Sequence, residues 1–124
     1  MNKILQFLIL AILISGCATS GFTQIKGRAL HYAVPVYQGE PPQEFSYRSL
    51  GSVEGYFKGE SNLLYSDMFV YVMSQAMEDM AKNAKAKGAN AIINIKGEAE
   101  KGFFNRAYHY TGEAVIFDRP PEGY

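Results

Sequence analysis

Two histidines, one cysteine, five methionines and a pair of adjacent phenylalanines are the residues of this 124-residue chain with the most chemistry to offer. His31 and His109 lie far apart, with no H-x-H, H-E-x-x-H or C-x-x-C spacing around them. A zinc or copper site wants three or four converging nitrogen or sulfur donors. The two imidazoles could meet if the first and last strands were neighbours, and Glu113 would then have to complete the set. They stand as metal candidates on that condition, beside the plainer reading of half-exposed strand histidines. Met73, Met77 and Met80 recur at helical spacing, where thioethers fill a core. A serine nucleophile needs a base held by a third group, and no G-x-S-x-G elbow is present. Glu98/Glu100 and Glu78/Asp79 read as solvated faces. Gly51-Ser52-Val53-Glu54-Gly55 lacks the Lys-Ser/Thr ending of a phosphate loop. The chain therefore reads as non-enzymatic and without a cofactor. Phe103 and Phe104 stand side by side in a polar stretch. Two adjacent aromatics cannot both point inward from a regular strand. Either one reaches a partner, or both pack on the domain's own open face.

The remaining chemistry is at Cys17. Asn2 and Lys3 open a short positive region, Ile4 to Ile14 is apolar apart from Gln6, and Ile14-Ser15-Gly16-Cys17 follows. The apolar run is too short for a comfortable bilayer span and fits a secretory signal. Its end resembles the bacterial lipobox. That resemblance implies cleavage before Cys17, a diacyl lipid on its thiol and an acyl chain such as palmitate on the new N-terminus. Cys17 is the only cysteine, so no internal disulfide is open to it. Ala18, rather than Asp, follows it; by resemblance to enterobacterial sorting rules this points to the outer membrane, facing the periplasm. Several acyl chains together anchor stably where one does not.

Four segments follow: a signal peptide over 1–16, a lipidated N-terminus and tether over 17–28, a domain over 29–118 and an irregular tail over 119–124. Lys3 is the leader's one charged residue, so the mature chain carries one acid more than it has bases. That balance gives no footprint for nucleic acid and no polybasic grip on anionic lipid.

The domain is organised around residues 66–95. Phe69, Val72, Met73, Ala76, Met77, Met80 and Ala84 form one apolar stripe at helical period. Glu78 and Lys82 sit four apart, acid first. Gly88 is the natural stop, since a left-handed cap costs glycine little. Ala89-Asn90-Ala91 then leads into a β-branched strand, with Ile93 and Ile95 expected to face the helix. Alternation predicts strands over 29–37, 46–58, 91–96 and 108–117. Pro35 suggests an edge, and Gly51 and Gly55 mark a bulge or a close approach of another backbone. The stretch 97–107 reads as a charged loop. The order β-β-α-β-β predicts an α+β fold, a small mostly antiparallel sheet with one long helix packed on it. The strands flanking the helix are expected as parallel neighbours through a right-handed crossover.

Three pieces now stand in order: Leu50-Gly51-Ser52-Val53-Glu54-Gly55; the helix ending in Gly88-Ala89-Asn90-Ala91; and Gly112-Glu113-Ala114-Val115. Together they resemble the YbjQ-type family of small α+β domains, which carries a heavy-metal-binding label, and are similar to the domain of RcsF-like envelope lipoproteins. The resemblance implies a compact fold and, for the YbjQ branch, ring-shaped pentameric homo-oligomers. It supplies no catalytic residues. The chain lacks the cysteines of the RcsF-like disulfides. The expectation is a non-enzymatic envelope lipoprotein whose domain binds another envelope protein or copies of itself. The alternative is metal or small-molecule sensing through His31, His109 and the aromatics.

Overall fold

A computed structural model describes residues 21–26, 32–59, 66–100 and 106–124. The elements are β1 (Thr23–Ile25), β2 (Val36–Gln38), β3 (Tyr47–Gly59), α1 (Ser66–Ala86), β4 (Ala91–Glu100) and β5 (Arg106–Phe117). They form one five-stranded sheet in the order β1-β2-β4-β5-β3. β2 and β4 run parallel, and the other three pairs are antiparallel. The α+β fold with one long helix is as the sequence predicts.

Several details differ. β3 and β4 are not neighbours, because β5 lies between them and pairs with both. The reason is local: few residues join β4 to β5, and a short link closes an antiparallel hairpin. Of the loop expected over 97–107, residues 97–100 and 106–107 are strand, and 101–105 lie outside the described residues. Pro35 is not on an edge strand. It precedes β2, and its carbonyl accepts from the Ile92 N–H at 3.0 Å. The edge is β1, formed from residues expected to belong to the tether.

Each sheet face carries its own core. On one, Val72, Ala76, Met77, Met80 and Ala84 of α1 meet Val53, Ile92, Tyr110 and Ala114, so the methionine stripe is packing. On the other, Phe22, Tyr37, Ala91, Ile93, Val115 and Phe117 are buried, with Phe45 and Tyr124 packed against them. The C-terminal tail is irregular but docked here, and the Tyr37 hydroxyl donates to the Pro121 carbonyl at 3.3 Å.

Two bulges, one on each side of β5, decide which residues enter which core. β3 shifts register between Ser49 and Ser52, around Gly51 at φ +95°. β4 shifts between Ile93 and Lys96, around Asn94 at φ 55°. An extra residue on one strand swaps the facing of everything beyond it. Tyr47 therefore meets Phe117 on the tail side, while Val53, Gly55 and Phe57 face the helix. Ile93 likewise turns away from the helix, and Ile92 and Ile95 face it. This corrects the expected pairing of Ile93 with Ile95.

The Gly88-to-Ala91 turn has a physical reason at each position. Gly88, at φ +91°, donates to the Lys85 carbonyl, and Ala89 donates to Ala84. These two bonds make a Schellman stop. Ala89 and Ala91 are buried where little room remains. Asn90 closes the sheet with its side chain: Nδ2 donates to the Phe117 carbonyl at 3.0 Å, and the Phe117 N–H donates to Oδ1 at 2.8 Å. Asn90→Ala strips both partners from that peptide. It is expected to cost about 2 kcal/mol, the usual penalty for orphaned polar groups, read as a lower urea midpoint with an unchanged slope.

Candidate functional site

Beyond the bulges, the face opposite α1 is open and polar. The register sets Tyr56 of β3 and Glu98 of β4 on either side of His109 of β5. Glu54 lies diagonally from His109, Oε2 to Nε2 at 3.8 Å. The Tyr56 hydroxyl donates to Glu100 Oε2 at 3.3 Å. Desolvation first, and then the Glu100 carboxylate, hold the Tyr56 phenol above its ordinary pKa. Tyr56, Glu98, Ala99, Glu100 and His109 line a depression of about 420 Å³. Alternation explains the row, since every second residue of a strand shares a face. The sequence pattern Glu54-Gly55-Tyr56 held that signal, but the partner strands could not be read.

Acid and imidazole on a flat strand face are not a catalytic constellation. Among the described residues no nucleophile has a base held by a third group, and no polar or charged side chain is buried. No three His, Cys, Asp or Glu groups converge among the described residues. Met77 and Met80 are sealed under α1, with Met73 packed beside them. The strand condition placed on the histidines is not met, since β4 lies between β2 and β5; His109 is on β5, while His31 lies outside the described residues, as do Cys17, Phe103 and Phe104.

The outer edge of β3 is closed by the helix itself. Asp79 Oδ2 accepts from the Tyr56 N–H at 3.0 Å, Asn83 Nδ2 donates to the Glu54 carbonyl at 2.8 Å, and Lys87 Nζ donates to the Ser52 carbonyl at 2.7 Å. Spacing by four puts the three side chains on one helix face, and alternation turns the even-numbered peptides of β3 outward. A guarded edge does not add a further strand.

At the helix start, Val70 and Tyr71 are 48% and 52% exposed. Tyr71 touches the Phe57 ring edge-on, centroids 5.9 Å apart. Sequence reading missed this pair because Val70 and Tyr71 lie off the apolar stripe. An apolar residue off the stripe is itself the signal that could have found them.

The fold is a small α+β domain, one long helix on a five-stranded mixed sheet. The family described as "Putative heavy-metal-binding", YbjQ, matches residues 43–118. The chain belongs to this YbjQ family. Among solved structures it is similar to a protein of unknown function of the DUF74 family from Pediococcus pentosaceus ATCC 25745. The two are 19% identical with a TM-score of 0.55, over 67% of this chain and 96% of that one. At that identity the likeness concerns the fold. No curated protein matches.

Proposed function

We propose that the chain is a non-enzymatic envelope lipoprotein, held through acylated Cys17 in the outer membrane and facing the periplasm. Its domain works by contact with protein, and a second copy of the same chain is the partner we commit to. The observation that carries this reading is the exposed Val70–Tyr71 pair at the start of α1, beside Phe57. Adjoining apolar side chains in water favour a protein neighbour. Phe103 and Phe104, between the end of β4 and the start of β5, are proposed as a further contact. Metal sensing, the reading the family description favours, lacks a converging donor set among the described residues.

Sedimentation velocity of the chain without residues 1–17 tests the proposal. Multimers are expected for the native domain. The double variant Val70→Asp/Tyr71→Ser should be monomeric, with a urea midpoint close to native because both side chains are already half in water. The Phe103→Ala/Phe104→Ala variant should weaken the assembly. Added zinc or copper should change neither mass nor midpoint. A native domain that stays monomeric at every concentration, or that assembles only with metal, contradicts the proposal.

A further inference from the structure

Residues 22–25 of the segment expected as a tether over 17–28 belong to the folded domain, which shortens the link back to Cys17. Phe22 is 5% exposed. Its ring stacks on Tyr37 with centroids 4.7 Å apart and meets Tyr124 edge-on at 5.4 Å. The next three residues pair with β2. Just before Phe22, the Gly21 peptide lies against Gly39 so closely that a Cβ on Gly39 would stand 3.0 Å from the Gly21 carbonyl carbon. The chain is thus fixed to the domain from Gly21 onward, four positions after Cys17. Four residue steps reach at most about 14 Å when fully extended. A domain of this size is roughly 30–35 Å across.

A tether less than half as long as the body it holds cannot present the far side of that body to the membrane. The fixed point lies on the β1–β2 edge. The opposite edge is β3, four strand spacings from β1, or about 19 Å across the sheet. We propose that the β1–β2 edge, with Gly21, Gly39 and Glu40 at its surface, faces the lipid headgroups. The β3 edge and the side chains of α1 that guard it then face away from the bilayer. The inference rests on the acylation of Cys17 and adds an orientation to it. No insertion into hydrocarbon is involved: Glu40 is exposed and accepts from Asn94 Nδ2 at 3.4 Å, which suits a hydrated headgroup layer.

Acylation consumes the chain's one thiol, so introduced cysteines can be labelled alone. The full lipidated chain is prepared as Glu40→Cys and as Lys82→Cys, each carrying a fluorophore. Both are placed in phosphatidylethanolamine/phosphatidylglycerol vesicles with a headgroup-linked quencher. Quenching at position 40 is expected to exceed that at 82 at least ~3-fold, since only position 40 lies beside the end of so short a tether. Inserting a twenty-residue Gly/Ser segment between Ala18 and Gly21 should bring the two values together. Intact mass and vesicle flotation are read on the same samples. A chain without lipid on Cys17 overturns the anchor and the orientation together. An acylated, floating chain with equal quenching at both positions overturns the orientation alone.

Discussion

Gly55→Ala is expected to destabilise the domain by about 3 kcal/mol, at the upper end of what overpacking costs. Gly55 is where α1 crosses β3 most closely. A Cβ there would run into the Ala76 carbonyl oxygen and stand 2.5 Å from the Met80 backbone nitrogen. Both obstacles belong to helix backbone, so no side chain can swing aside. The helix must lift, and lifting it opens the core around Met80, Val53 and Ile92. The guarding bonds from Asp79, Asn83 and Lys87 lengthen in the same movement, since they hang from the same helix. The thermal midpoint should fall by roughly 10–25 °C for a domain of this size. Circular dichroism on heating reads it, and a fall of under about 4 °C, equivalent to 1 kcal/mol or less, would show that the approach is looser than described.

Tyr37→Ala is expected to lose a comparable 3–5 kcal/mol, roughly the range for removing a large buried aromatic. Tyr37 is 2% exposed and sits between the Phe22 and Phe117 rings. Its loss leaves a hole that three separate segments of chain would have to close. Tyr37→Phe keeps the ring and gives up the bond to Pro121, so about 1 kcal/mol should go. Urea unfolding of the two variants separates ring from hydroxyl. Equal losses would mean that the bond, not the packing, holds the tail. In Tyr37→Ala, amide exchange should also rise at Phe22 and near Tyr124, because both are fixed through this ring or its neighbours.

The helix, its glycine stop and the strand that follows were legible because each has a local cause: a stripe at period 3.6, a left-handed cap and a β-branched run. Gly51 and Gly55 were legible as special positions, and the structure separates the two reasons offered. Gly51 makes a bulge, and Gly55 admits a helix. Strand order was not legible, because β3 and β4 each pair with β5 and nothing in either sequence says which edge of β5 it takes. The facing of Ile93 was misread because the bulge in β4 reverses the alternation from which facing is inferred. The second core escaped because its members are scattered from Phe22 to Tyr124. Phe22, Phe45 and Tyr124 each look like an isolated aromatic in a tether, loop or tail until the sheet brings them together. The row of Tyr56, His109 and Glu98 was hidden for the same reason.

Contact between copies on a membrane is the core of the functional reading, and counting subunits in place tests it most directly. The lipidated chain, with one fluorophore on each copy, is held at low density in a supported bilayer, and photobleaching steps are counted spot by spot. Native protein is predicted to bleach in several steps, and Val70→Asp/Tyr71→Ser in one. Single steps for the native chain at every surface density would contradict the account.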